Sequence, residues 1–463
     1  MRSLRIVTMA LLVGAASIVS LRADNWPQWR GPDGTGVSPE RGSLPERWGA
    51  SENVAWKATI RGLGASSPIV WGDRIFVTSQ VGYGPLTSAP HPPLVGVQAA
   101  PGEQRDLSQR TPEERPIGGQ LFRQSGSISF VVSAFDRASG QRVWEHTLQG
   151  EGRIDKNKNV WIPPVHELHN LASPSPATDG ERVYAWFGTG QILAMDMDGK
   201  VIWERHLGKE IAAFDVIWGH GSSPVIYQDT LILLCDHESN AYLLALDKRT
   251  GVQRWKIDRE QGLRSYSTPA VVAGPNGDEL IISSSKRIDS YNAKTGAWLW
   301  HTGEANEFPV PFPTYHDGTT FASSGPHRNG SYMAIRLGGR GDVTNTHVTW
   351  RAATGAPHVS SLLYYDGLIY LAHENGIVTC VDAKTGERIW RERTGGLFAA
   401  SPVAGDGKVY LVSETGETIV LRAGRKLDIL ARNDIEERIM ASPAISNGRI
   451  FLRTDEHLIA IGK

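Results

Sequence analysis

The amino-acid sequence predicts an all-β protein, an eight-bladed β-propeller built of four-stranded antiparallel blades. Three observations carry that prediction. The first is a segment that returns along the chain: SAFDRASGQRVW ending at Trp144, LAMDMDGKVIW at Trp203, LALDKRTGVQRW at Trp255, DSYNAKTGAWLW at Trp300 and TCVDAKTGERIW at Trp390. Such recurrence means stacked copies of one small unit, each burying a face on its neighbour. The second is composition. With 50 Gly and 26 Pro in 463 residues, short alternating apolar runs and no helix-length pattern after Asp24, the chain reads as strands joined by tight turns. The third is an orphan strand. NVAWKATI (Asn53 to Ile60) bears a Trp but has no unit before it, while the last unit, from Ser442, stops after its third strand. Pairing this N-terminal strand with the C-terminal blade closes the ring and removes exposed sheet edges.

In chain order, Met1 to Arg5 is basic and Ile6 to Ser20 is an apolar stretch too short to span a membrane comfortably. Residues 1–23 therefore read as a signal peptide cleaved after Ala23, with an uncleaved anchor as the alternative. No Cys follows the apolar stretch to carry a lipid anchor. Residues 24–463 then form a single propeller domain, exported to the periplasm or secreted, with no membrane span in the mature chain. Each unit opens on a Ser-Pro or similar start, followed by two apolar runs around a turn and then the Asp…Thr-Gly…Trp segment. First halves begin near Ser67, Ser175, Ser223, Thr268, Phe312, Ser361, Ser401 and Ser442. The count is eight, or seven if the weak fifth unit is discounted. Two insertions break the regularity, a Pro-rich one at 80–126 in the first blade and another at 149–171 before the second; long insertions of this kind are often functional lids.

The motif residues have structural work. Gly in the Thr-Gly turn supplies a positive φ, the preceding Asp bonds the turn backbone, and Trp on the outer strand packs against the next blade. Trp56, Trp144, Trp203, Trp255, Trp300, Trp350 and Trp390 are assigned to blade docking, and GRKLDILARNDI (Gly424 to Ile435) is a degenerate seventh fourth strand.

Several chemistries are excluded. A formal net charge of −1, without a Lys/Arg cluster, argues against nucleic acid as a partner. Cys235 and Cys380 lie in apolar runs of different units, as buried free thiols, and two isolated Cys make neither a haem nor a Cys-based zinc site. His166 to His169 spells HExH, one residue short of the zinc-hydrolase helix motif, and follows Pro163-Pro164. Asp155 to Asn159 starts like a calcium loop, but Val160 stands where the turn Gly belongs. No metal site is expected.

Strand order points to a site. If the Thr-Gly turns join third to fourth strands on one face, residues just before each first strand lie on the other, around the channel. Those positions hold His169 and Asn170, His220, Arg264 and Tyr266, His358, Phe398, and Arg438, and the second-to-third loops add His237-Glu238, His327-Arg328 and His373-Glu374. Polar and aromatic groups converging on a propeller mouth make a ligand-binding funnel, so His169, Asn170, His220, Arg264, Tyr266, His358 and Arg438 are the candidate binding set.

The repeats resemble those of the PQQ-like, quinoprotein-type β-propeller superfamily, AxDxxTGxxxW. They match at Ala134-Asp136-Gly140-Trp144, Ala245-Asp247-Thr250-Gly251-Trp255 and Asp382-Thr385-Gly386-Trp390. The opening NWPQWRGPDGTGVS (Asn25 to Ser38) resembles the start of a large group of exported bacterial propellers. The resemblance implies one of two functions. One is a noncatalytic scaffold in the cell envelope, like the outer-membrane assembly propeller lipoprotein, binding an envelope protein or peptide, or a small ligand in the funnel, and using no cofactor. The alternative is a quinoprotein oxidoreductase, with pyrroloquinoline quinone and calcium, acting on an alcohol or sugar. Many alcohol dehydrogenases of that kind stack the quinone on two adjacent Cys, which this chain lacks, and their catalytic Asp and calcium ligands have no matched positions here. The repeat is blind to the choice, because fold does not fix function.

Overall fold

A computed structural model describes residues 25–42, 44–82, 121–122, 127–151, 153–154, 160–161, 165–166, 169–216, 218–260, 262, 264–303, 305, 309–324 and 330–462. The expected leader, most of the 80–126 insertion, Asp155–Asn159 and His327-Arg328 lie outside these residues. Eight antiparallel sheets make the ring. Strands A to D are Ile69–Trp71, Arg74–Gly82, Ile128–Asp136 and Arg142–Gln149 in blade 1. Blade 2 has Ala177–Thr178, Arg182–Trp186, Gln191–Asp196 and Val201–His206; blade 3 has Val225–Tyr227, Thr230–Cys235, Tyr242–Asp247 and Gln253–Asp258. Blade 4 has Ala270–Gly274, Gly277–Ser284, Arg287–Asn292 and Trp298–Thr302; blade 5 has Thr314–His316, Thr319–Ser324, Ser331–Arg336 and Val348–Ala352. Blade 6 has Leu363–Tyr365, Leu368–Ala372, Ile377–Asp382 and Arg388–Arg393; blade 7 has Val403–Gly405, Lys408–Val412, Glu417–Arg422 and Ile429–Asp434. Blade 8 takes Ala444–Ser446, Arg449–Arg453 and His457–Ile461, and its D strand is Val54–Thr59 from the chain's beginning. The weak fifth unit is a genuine blade, and the count is eight.

Register explains the motif. The docking Trp sits opposite a small residue of strand C: Ala134 faces Trp144, Ala194 faces Trp203, Ala245 faces Trp255, Ser290 faces Trp300, Ala334 faces Trp350 and Cys380 faces Trp390. A bulge follows at the same place each time, turning the indole toward the next blade. There its N–H donates to a turn carbonyl: Trp56 to Arg137 (3.0 Å), Trp144 to Met197 (2.8 Å), Trp203 to Lys248 (3.1 Å), Trp255 to Lys294 (3.0 Å), Trp350 to Ala383 (3.0 Å) and Trp390 to Gly424 (3.4 Å). The ring lies flat on that turn's glycine; a Cβ on Gly251, whose φ is +71, would stand 2.8 Å from the Trp203 indole. Trp300 differs. It is fully buried between blades 4 and 5 and donates to Glu279 of its own blade (2.7 Å), because blade 5 replaces the tight turn by the long connection 337–347.

The Ser-Pro starts form a belt. The Ser67 N–H donates to the Ser175 hydroxyl, Ser175 to Ser223, Ser223 to Thr268, Phe312 to Ser361, Ser361 to Ser401 and Ser401 to Ser442, all at 2.8–2.9 Å. A strands of neighbouring blades touch one another, so this belt runs round the channel wall. At the seam, buried Arg453 of blade 8 donates to the Ser66 carbonyl (3.0 Å) and the Ser79 hydroxyl (3.0 Å) of blade 1. Both cysteines are buried free thiols, and no helix among the described residues is long and apolar enough to cross a membrane.

Candidate functional site

The channel has two unlike ends. The inner edges of the A strands face its axis, and Asn25–Glu40 fills it from the side of the A–B turns. Trp26 exchanges backbone hydrogen bonds with Val70 of blade 1 (2.8 Å each way), Thr178 of blade 2 donates to Pro27 (2.8 Å), and Trp29 packs edge-on against Phe312 (5.5 Å). Arg30, only 1% exposed and at φ 69, reaches across to the Pro402 carbonyl (2.5 Å) and the Leu362 carbonyl (3.3 Å). Gly36 and Ser38 then pair with Ala404 of blade 7, and the Glu40 carboxylate accepts the Asn447 and Gly448 N–H groups of blade 8. The segment is a plug. Burial lowers the Arg30 pKa to about 9, since its partners are carbonyls and not carboxylates. In the sequence this stretch carries only a family resemblance. Its density of Trp, Gly and Pro ahead of any strand was the available signal, but only the closed ring supplies an axis to fill.

The opposite end is the mouth, where pre-A and B–C loops meet as strand order requires. At blades 2 to 4, half-buried His169 bonds the His220 carbonyl through Nε2 (3.0 Å). His220 itself is buried, its ring 4.2 Å from Trp186 and 5.1 Å from Phe214, with Nε2 bonded to the Ser222 carbonyl (3.1 Å) and Nδ1 3.5 Å from His237. Burial holds the His169 and His237 pKa near about 4, and burial together with His237 and His169 pushes His220 well below its ordinary range. These rings are neutral near pH 7 and brace the loops. Asn170 is also turned inward: it donates to the Leu63 carbonyl (2.9 Å) and accepts from Ala172 (3.0 Å). What remains on the rim is Tyr266, with Trp218 at 6.0 Å, and the Arg264–Glu238 ion pair (2.5 Å). Trp218 was not among the predicted residues. Its φ of 74 is rare for a bulky aromatic, and its carbonyl accepts the His166 N–H (3.0 Å). Val165–His166 in turn pairs with Leu121–Phe122, joining the two insertions beside this rim.

A second group lies at blades 6 to 8. Glu374 is buried and accepts the N–H groups of His358 (2.6 Å) and Val359 (2.7 Å). Arg438 pairs with Asp455 (3.3 Å). Burial raises Glu374 and Glu414 to about 7, outweighing the backbone bonds at Glu374 and, at Glu414, the attraction of Arg438. Phe398 is buried in the core between blades 6 and 7. The predicted set is thus brought to one face in two groups, and its buried members hold loops.

Calcium takes several converging oxygen ligands. Among the described residues no group of three or more His, Cys, Asp or Glu is placed to hold a metal ion. The buried acids have other partners: Asp236 (2.6 Å) and Asp289 (3.2 Å) flank Arg259, and Glu374 sits on backbone amides.

A family model described as outer membrane protein assembly factor BamB matches residues 129–392 and 374–463. The outer membrane protein assembly factor BamB of Moranella endobia (strain PCIT) is 24% identical over 271 residues, which is 55% of this chain and 61% of that relative's length. Among solved structures, quinohemoprotein alcohol dehydrogenase from Comamonas testosteroni superposes with a TM-score of 0.60 at 12% identity, over 95% of this chain and 81% of that one. BamB from Moraxella catarrhalis gives 0.49 at 14%, over 74% and 94%. At such identities a solved structure speaks for the fold alone. With its repeats, its closed ring of eight blades and the family match, the chain belongs to the PQQ-like β-propeller family described as outer membrane protein assembly factor BamB.

Proposed function

We propose that this protein is a noncatalytic binding scaffold of the bacterial cell envelope whose open mouth receives an envelope protein or peptide segment during outer-membrane protein assembly. The family supports the setting, and the basic-then-apolar leader fits export to the periplasm. The observation that carries the reading is the state of the mouth. His169 and His220 are bound to backbone carbonyls and His237 lies against His220, so these three rings brace the loops of the mouth. The rim presents a Trp218–Tyr266 aromatic pair beside the Arg264–Glu238 ion pair. Aromatic and arginine side chains of this kind anchor protein interfaces.

A photo-crosslinker at Tyr266 in the exported protein tests the reading. It is expected to trap one defined envelope component, and Arg264→Glu is expected to lower the yield at least about tenfold, the effect of one charge-assisted contact. Stoichiometric binding of pyrroloquinoline quinone with calcium, together with dye reduction by an alcohol or sugar, would overturn it in favour of an oxidoreductase.

A further inference from the structure

The exposed large apolar side chains Val143, Ile202, Val252, Trp298 and Ile429 all lie in or next to D strands, the outer edges of the blades. An outer edge presents backbone N–H and C=O groups able to pair with another strand. On blade 4 this has happened within the chain. Gly341–Asp342 lies parallel to the D strand, Gly341 beside Trp300 and Asp342 beside His301, and the Val343 N–H donates to the His301 carbonyl (2.9 Å). The residue after the docking Trp therefore points its backbone outward.

Blade 3 has the same register. Trp255 faces Ala245 with the bulge after it and Lys256 faces Leu244, as Trp300 faces Ser290 and His301 faces Asp289. Lys256 is thus the counterpart of His301. Its ammonium folds back to Asp258 and over the Tyr242 ring (5.3 Å) instead of guarding the edge, and Val252, just before the strand, is 62% exposed. The edges of blades 7, 1 and 6 are covered or lined by arginines. Arg47 bonds the Leu430 carbonyl on blade 7 (3.1 Å), Arg61 lies on Glu145 and Thr147 of blade 1, and blade 6 carries Arg388, Arg391 and Arg393. The strand on blade 4 comes from the long 337–347 connection of blade 5, whereas blade 4 offers blade 3 only the tight turn between Asn292 and Trp298. Among the described residues none pairs with the outer edge of blade 3.

We propose that the outer edge of Gln253–Asp258 is a strand-docking site for an extended segment of a partner protein. The segment pairs parallel to the D strand, with a small residue beside Trp255 and an apolar one two positions on, as Gly341 and Val343 stand on blade 4. The site is on the rim of the ring and does not depend on the mouth.

The test uses a synthetic peptide of the chain's own Leu337–His347 and the whole mature protein, with amide hydrogen exchange and NMR titration as readouts. Bound peptide is expected to protect the Lys256 amide. Lys256→Pro removes the outward N–H without breaking the inner ladder, so Pro is tolerated at this edge position. It is expected to weaken binding at least about tenfold, while Lys256→Ala binds like the parent. Should Lys256→Pro unfold, the same peptide N-methylated at Asp342 and Val343 replaces it and is expected not to bind. Unchanged binding by Lys256→Pro or by the methylated peptide, protection at His301 instead of Lys256, or no protection anywhere would overturn the proposal.

Discussion

At the scale of the residue, each letter of the repeated motif answers to a contact across a blade boundary. The small residue before the bulge leaves room for the indole opposite it, Trp spans to the next blade, and glycine lets the ring lie on the turn. At Gly251 two demands coincide, since its φ is +71 and the Trp203 ring leaves no space for a Cβ; Gly318 has a φ of +69 and open space around it. Gly318→Ala is therefore expected to cost about 1 kcal/mol, from backbone strain alone. Gly251→Ala, which must also displace the indole, is expected to cost about 2–4 kcal/mol. Chemical denaturation of the two variants measures the difference, and equal losses would mean that the turn glycines serve φ and not docking.

Between elements, the ring is held by packing and by the hydroxyl belt at the Ser-Pro starts. The hydroxyls of Ser175, Ser223, Thr268, Ser361, Ser401 and Ser442 each accept a backbone N–H from the start of the neighbouring blade, so removing one strands a buried donor. Ser401→Ala, which leaves the Ser361 N–H without its 2.9 Å acceptor, is expected to destabilise by about 1–3 kcal/mol, and Ser401→Thr by much less because it keeps the oxygen. The belt lacks a hydroxyl at Phe312, the position where the plug places Trp29. Packing against the plug replaces a hydrogen bond there.

The whole molecule is tied by its N-terminal stretch, which plugs the channel, crosses blades 7 and 8 and then becomes the last strand. Arg30→Ala removes the side chain that bridges two blades and leaves the Pro402 and Leu362 carbonyls unpaired; a loss of about 2–4 kcal/mol in unfolding free energy is expected. Burial of opposite kinds of group also fixes a pH window. His169, His237 and His373 are held near about 4, so the unfolded chain takes up more protons and stability falls as pH drops from about 6.5 toward 4. Glu374 and Glu414 are raised to about 7. Their contribution is complete below the unfolded carboxylate pKa of about 4.5 and is lost as pH rises through about 7. Stability is expected to be greatest near pH 6 to 7, roughly where the two limbs cross. Glu374→Gln should flatten the alkaline limb, gaining about 1–3 kcal/mol at pH 8 relative to the parent and little at pH 5. A thermal-unfolding series across pH checks both limbs, and an unchanged alkaline limb in the variant would show that Glu374 is ionised in the fold.

The repeat, the count of blades and the closure by Trp56 are legible in the chain, because strand periodicity, turn glycines and an orphan strand are local facts that add up without knowing the third dimension. Strand order also fixes which loops share a face. Which way the side chains of those loops turn depends on long-range packing. His220, His237 and Asn170 look like ligand residues in the chain but turn inward, since burying them on carbonyls and rings satisfies the loops, whereas Trp218 reaches the rim through a backbone conformation that no sequence pattern announces. The plug was invisible for a related reason: Asn25–Glu40 pairs with strands tens to hundreds of residues away, and contacts of that range come into being when the ring closes around them.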